Sequence, residues 1–285
     1  MTTVNECAYA KINLTLDVLG LRDDGYHALK SVMQTVSLCD DIEIRVGTGE
    51  PWCLRCDADG VPLDQRNLAW KAAQVFCDAT GIDPQGIEIR ITKRIPSQAG
   101  LGGGSSDAAA VFRALNRHYG MPLTTQELAD LSAMVGSDVP FCVLGGTVMV
   151  EGRGEFVRKL PDMPQCHIVI CKPEFPVSTP ELYRKIDSCI IDKHPDNDAM
   201  EAAIEAGDLL AIAENVHNVF DPIVGADHPQ IGEIKAIFAE FGALAQQMSG
   251  SGSATFGIMP DRASAEAACS RLKEVYRQVF IASPV

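Results

Sequence analysis

The sequence predicts an α+β protein of two domains, on three observations. The first ninety or so residues alternate apolar and polar side chains, the period of two that marks strands. From Ser105 the period lengthens to that of a helix, with Ala108, Phe112 and Leu115, and with Val111 and Tyr119, at helical spacing. The second half then alternates strand and helix patterns, and "GRGEFVRKLPDMP" near residues 154–164 is rich in Gly, Pro and charge. A boundary there gives expected domains of residues 1–157 and 158–285, a size that 285 residues support.

In "AYAKINLTLDVL", Ile12, Leu14, Leu16 and Val18 alternate with Lys11, Asn13, Thr15 and Asp17, so Lys11 and Asn13 share the polar face of a strand. "LRDDGYH" is a turn centred on Asp-Gly. "SVMQTVSL", "DIEIRV" and "IEIRITKRI" read as strands, with a helix near "NLAWKAAQVFCDAT" between the last two. Thr124-Thr-Gln-Glu127 has the spacing of a capping box opening a helix that ends at Gly136. Beyond the boundary, "HIVICKP" is a strand, "STPELYRKI" opens a helix, and residues 198–217 are helical. A helix at "IGEIKAIFAEF", a strand pair around a Gly/Ser loop, a helix at "RASAEAACSRLKEVYR" and a final strand complete the chain.

The chain carries a formal charge of -14. With 13 basic and 19 acidic residues up to Gly154 and 11 and 19 after it, no basic block exists to hold nucleic acid or an anionic membrane. "MTTVNECAYAKINL" lacks the charged start and apolar core of a signal peptide, and no stretch has the length of a membrane helix. Ten cysteines scattered through apolar segments (Cys39, Cys77, Cys142, Cys171 and Cys269 among them) read as small hydrophobes in a reduced cytoplasm. Cys53-Leu-Arg-Cys56 has zinc-like spacing, but no second ligand pair accompanies it, and "PWCLRCD" alternates like a strand.

The sharpest chemical signal is "PSQAGLGGGSSDAAA", residues 96–110. Gly100, Gly102, Gly103 and Gly104 lie between a strand and a helix expected to begin at Ser105, Ser106 and Asp107. Glycines permit close backbone approach, and a helix start offers unpaired N–H groups and its positive dipole end, which together make an anion cradle. The loop lacks the Lys-Ser/Thr of a Walker A loop, and its spacing and late position do not suit a dinucleotide-binding oxidoreductase. "MVGSDVPF" places Asp138 ahead of a Pro-started segment, where a plain helix cap is the bland reading. "MSGSGSATFG", residues 248–257, is a second Gly/Ser loop whose bland reading is a hairpin turn.

In combination "AKINL", "RDDGYH", "PSQAGLGGGSSDAAA", "GSDVPF" and "SGSGSATF" resemble the GHMP kinase superfamily over nearly the whole chain. The resemblance implies an N-terminal ribosomal-S5-like domain and a C-terminal ferredoxin-like one. The opening "AKINL…DGYH" is similar to members that phosphorylate a cytidine-diphosphate-linked sugar alcohol in isoprenoid precursor synthesis. It implies ATP as co-substrate with Mg²⁺, a small-molecule acceptor and no protein partner. By the same resemblance, Asp138 is the catalytic aspartate and Lys11 its partner. ATP would contact Pro96, Ala99, Gly100, Leu101, Gly102, Gly103, Gly104, Ser105 and Ser106, with Asn67, Leu68 and Lys93 near the adenine. Asn13, Tyr26, His27, Thr179, Tyr183 and Arg153 would hold the acceptor, Tyr26 and His27 stacking on and pairing with cytosine while Tyr183 closes the other side. Ser105 or Ser106 is the candidate Mg²⁺ contact. Asp107 stands where some relatives carry Asn, and its charge should repel ATP unless it caps the helix or meets Mg²⁺. Two alternatives stay open: another GHMP kinase, of mevalonate or homoserine type, and a non-catalytic nucleotide-binding protein.

Overall fold

A computed structural model describes residues 1–285. In chain order its elements begin with β1 (Thr2–Asn13), β2 (Thr15–Leu21), β3 (His27–Val46), β4 (Cys53–Cys56), α1 (Leu68–Thr80) and β5 (Ile87–Thr92). Then come α2 (Gly103–His118), α3 (Thr125–Ser132), α4 (Val139–Leu144), β6 (Thr147–Gly152), β7 (Phe156–Lys159) and β8 (His167–Lys172). The remainder is α5 (Thr179–Ile186), α6 (Asn197–Ala206), α7 (Leu209–Asn215), β9 (His217–Asn218), α8 (Asp221–Asp227), α9 (Gln230–Glu240), β10 (Ala245–Met248), β11 (Thr255–Met259), α10 (Arg262–Lys273) and β12 (Gln278–Ala282). Internal contacts gather these into two interleaved units. One comprises residues 1–10, 39–95 and 102–145; the other comprises 11–38, 96–101 and 146–285.

In the first unit β5 pairs antiparallel with the end of β3 (Ile42 opposite Ile91, Ile44 opposite Ile89) and parallel with β4. The even spacing of Ile42, Ile44 and Val46 sends all three inward. Helix α1 is capped by Asn67, whose side chain accepts from the Ala69 N–H, and it stops at Gly81 in the left-handed conformation. Helix α2 buries Ala108, Val111, Phe112 and Leu115, the positions its period singled out. The Thr124–Glu127 capping box forms as expected, but α3 ends at Ser132, short of Gly136.

In the second unit β2, the first half of β3, β6 and β7 form antiparallel pairs, and β9 lies parallel to β2. A separate antiparallel sheet runs β10-β11-β8-β12. Phe238 of α9 and Ala265, Ala268 and Leu272 of α10 share a core with Val169, Cys171 and Val279 of that sheet. The expected 198–217 helix is two helices, broken at Gly207 in the left-handed conformation.

Three further expectations need correcting. The alternation at residues 11–17 is not an inside/outside pattern, because Lys11, Asn13, Thr15 and Asp17 are as buried as their apolar neighbours. Helix α2 begins at Gly103, so two of the loop glycines are already helical and Gly102 is its cap. Cys39 is only partly buried, although Cys77, Cys142, Cys171 and Cys269 are inside and all ten thiols are free. Cys53 and Cys56 lie on β4, the strand their alternation suggested. No helix is long and apolar enough to cross a membrane.

Candidate active site

In the second unit the site grows from the buried polar face of β1. The Lys11 Nζ donates to Asn13 Oδ1 (2.7 Å), and Asn13 Nδ2 donates to Ser31 Oγ (2.8 Å). The Lys11 backbone N–H donates to the Leu101 carbonyl (3.0 Å), so the strand bearing this lysine is bonded directly to the glycine loop. Ser249, from the second Gly/Ser loop, joins the same network: its Oγ accepts from the Asn13 N–H (3.3 Å) and donates to the Gly100 carbonyl (2.9 Å). The Ala254 N–H donates to the Ala99 carbonyl (3.0 Å). The 248–257 stretch is therefore more than a turn; it clamps residues 99–101. At Gly100, with φ +74°, any Cβ would strike the Ser249 carbonyl, so glycine is required there. Asn218 holds the clamp from beneath, donating from Nδ2 to the Met248 and Gly250 carbonyls (2.8 Å each).

A cavity of about 670 Å³ opens beside this clamp, lined by Gln98, Gly100, Thr179, Ser251 and Gly252 among others. Thr179 faces Ser251 across 2.8 Å between hydroxyls. Tyr26 is exposed at the turn before β3, with the Arg153 guanidinium 5.0 Å above its ring. His27 opens β3 and bonds Asp187 through Nε2 (2.6 Å). The Tyr183 ring stacks on His27 (centroids 4.9 Å apart, 29° between planes).

The first unit holds the nucleotide end of the expected site. Gly102, at φ +70°, caps α2 without a side-chain bond, and the first helical hydrogen bond runs from the Ser106 N–H to the Gly102 carbonyl (2.8 Å). The N–H groups of Gly103, Gly104 and Ser105 precede that bond and point off the helix start, an anion cradle. Ser105 is half-buried there. Ser106 is turned inward and donates to the Tyr9 carbonyl (2.6 Å). The Asn67 amide is bonded within its own turn, its oxygen accepting from the Ala69 N–H and its nitrogen donating to the Pro62 carbonyl (2.9 Å each). Leu68 lies where a Cβ on Gly104 would make ordinary contact (3.7 Å), so it borders the cradle.

Lys93 and Asp107 answer the question their sequence raised. The Lys93 ammonium is nearly buried and ion-paired to both Asp40 and Asp107, the latter at 2.8 Å. Burial opposes that ammonium, but the Asp107 and Asp40 carboxylates outweigh it and push its pKa up. Burial, then the charge of Asp40 against the pull of Lys93, lifts Asp107 to about 7. Asp107 neither caps α2 nor stands free; it belongs to a buried carboxylate–ammonium–carboxylate triad, with its Oδ1 sealed from water and without a hydrogen bond. Asp138 occupies the cap position of α4 without capping it, so the bland reading of that residue fails.

Sequence reasoning missed Asp40, Ser249, Asn218 and Asp187. Each acts through a partner far away in sequence, and no local spacing signals such a pair.

The profile for the N-terminal domain of GHMP kinases matches residues 67–146, and the profile for their C-terminal domain matches residues 200–278. A curated relative from Caldicellulosiruptor saccharolyticus, named 4-diphosphocytidyl-2-C-methyl-D-erythritol kinase, is 43% identical over 96% of this chain and 94% of its own. The chain belongs to the GHMP kinase family. A relative of the same name from Clostridium tetani is 40% identical over 98% of this chain and 99% of its own. Among solved structures, 4-(cytidine 5'-diphospho)-2C-methyl-D-erythritol kinase superposes with a TM-score of 0.81 at 31% identity, covering 98% of both chains. Homoserine kinase from Cytophaga hutchinsonii, at 20% identity and a TM-score of 0.78 over 100% of this chain and 95% of its own, shares the fold. The two-domain architecture expected from the five motifs is thus the architecture of this GHMP kinase.

Proposed function

We propose that the chain transfers the γ-phosphoryl group of ATP to the 2-hydroxyl of 4-diphosphocytidyl-2-C-methyl-D-erythritol. The observation that carries this reading is Lys11, a lysine only 4% exposed, bonded to Asn13 and borne on a strand that is itself bonded to the glycine loop. A surface strand lysine would have neither the burial nor the partners. Relatives sharing about 40% of the sequence over nearly its full length carry the kinase name. The division after residue 157 and a cytoplasmic location belong to the same proposal.

In this mechanism the acceptor oxygen attacks the γ-phosphorus in line, the bond from phosphorus to the bridging oxygen breaks, and ADP leaves. The transition state is loose, so the protein chiefly positions groups and offsets charge. The N–H groups at the start of α2 hold the phosphates. Mg²⁺, when bound with ATP, supplies charge neutralisation at the phosphate oxygens, and the Ser105 hydroxyl is the side chain that would hold it. An ordinary aspartate, with a pKa of about 3.9, is too acidic to deprotonate an alcohol in advance. Asp138 accordingly takes the proton late, as the new oxygen–phosphorus bond forms, and the Lys11 ammonium offsets the charge on the acceptor oxygen. Tyr26, His27, Thr179, Tyr183 and Arg153 hold the cytidine diphosphate portion. Lys93 serves through its triad, fixing the floor beneath Gly103, where a Cβ would lie 3.4 Å from its Nζ.

An ADP-release assay tests the reading. Turnover with the cytidylated methylerythritol and none with mevalonate or homoserine is the expected result; turnover with either of the latter alone would replace it with another kinase of this fold.

A further inference from the structure

His27 has a partner 160 residues away. Its Nε2 lies 2.6 Å from Oδ1 of Asp187, the residue that ends α5. The imidazole is 9% exposed while the carboxylate stays half in solvent. Tyr183, on the last turns of the same helix, stacks on the imidazole face and is braced edge-on by Phe220 (5.1 Å, 84°). Helix α5 therefore fixes both the plane of the ring and its rotation. An ionised carboxylate only accepts hydrogen bonds, so a singly protonated imidazole facing it carries its proton on Nε2. With its proton on Nε2, the ring carries a lone pair on the other nitrogen, Nδ1.

We propose that Asp187 is a positioning residue that fixes the tautomer of His27, so that Nδ1 accepts from the exocyclic amino group of cytosine and rejects uracil. The proposal rests on the reading of Tyr26 and His27 as the base pocket of a cytidine diphosphate substrate. Cytosine carries an amino donor where uracil carries a carbonyl acceptor. A lone pair facing the amino group makes a hydrogen bond; facing the carbonyl, it leaves two acceptors opposed and unpaired, which is the stronger source of discrimination. Without Asp187 the imidazole proton is free to move to Nδ1, which would then suit the uracil carbonyl.

The test compares wild type, Asp187→Ala and Asp187→Asn at pH 8, with the cytidine diphosphate-linked acceptor and its uridine counterpart. The NMR signals of the His27 ring nitrogens are followed in parallel. Wild type should prefer the cytidine compound and show an unprotonated Nδ1. Asp187→Ala should lose about tenfold of that preference, the worth of one substrate hydrogen bond, through KM rather than kcat. Asp187→Asn, whose amide oxygen still accepts from Nε2–H, should recover most of it. A proton on Nδ1 in the wild type, or a preference undiminished in Asp187→Ala, overturns the role of Asp187 while leaving the base pocket standing. A wild-type enzyme indifferent to the base overturns the pocket reading and the proposal together.

Discussion

In the proposed mechanism the chemistry depends on Asp138 and Lys11, and their local structure frames what each substitution should do. Asp138 has a cap position but no capping bond, so Asp138→Asn removes a base without removing a helix cap. A general base contributes roughly 10²- to 10⁴-fold. Turnover should fall by about a thousandfold while ATP affinity, measured by titration, changes little; near wild-type turnover would remove Asp138 from the base role. Lys11→Met keeps the buried stem and deletes the ammonium that bonds Asn13. It should lower kcat severely with a modest change in ATP affinity, whereas an effect confined to KM would make Lys11 a binding residue. Both residues were legible as candidates from their motifs. Their burial was not, because an alternating strand reads the same whether its polar face meets water or a second layer of protein.

At the scale of elements, the glycine loop depends on a partner loop. The Gly100 carbonyl accepts from Ser249, the Ala99 carbonyl from the Ala254 N–H and the Leu101 carbonyl from the Lys11 N–H, so three consecutive loop residues are held by two other segments. Gly100→Ala meets two obstacles at once, a left-handed φ and the Ser249 carbonyl in the path of its Cβ. It should lower the midpoint of thermal unfolding and abolish turnover, with a destabilisation of about 2 kcal/mol or more. A variant as stable and active as wild type would show that the clamp does not position the loop. The strands and helices themselves were largely readable from period, as with β5 and α2. The start of α2 was misplaced because glycines are poor helix formers by propensity, and here the left-handed cap at Gly102 and the packing of the helix behind it override that preference.

For the molecule as a whole, the buried triad makes stability depend on pH. The pKa of Asp107 in the folded state, about 7, lies above its ordinary value, so between roughly pH 4 and 7 the folded protein holds a proton that the unfolded chain has released. Stability contributed by this group is therefore greatest at acid pH and declines as pH rises through that window. Asp107→Asn removes the titrating group and leaves Lys93 paired with Asp40. Between pH 5 and 8 the melting temperature of wild type should drop further than that of the variant; equal drops would place the titration elsewhere. The net charge of -14 does not exclude anionic substrates, because salt screens charges beyond about 8 Å, and in the proposed reaction the phosphates would be held by local groups such as the N–H groups at the start of α2.

By itself the sequence determined the α+β class, most of the elements, the family and the motifs on which the proposed chemistry rests, since period, glycine placement and capping are properties of neighbours along the chain. Only the tertiary structure decided which side chains those motifs meet. Lys93 finds Asp40 across 53 residues, His27 finds Asp187 across 160, and Asn13 finds Ser249 across 236. Burial turns these pairs from surface charges and hydroxyls into fixed parts of a site, because a polar group removed from water must be satisfied by whatever the fold brings to it.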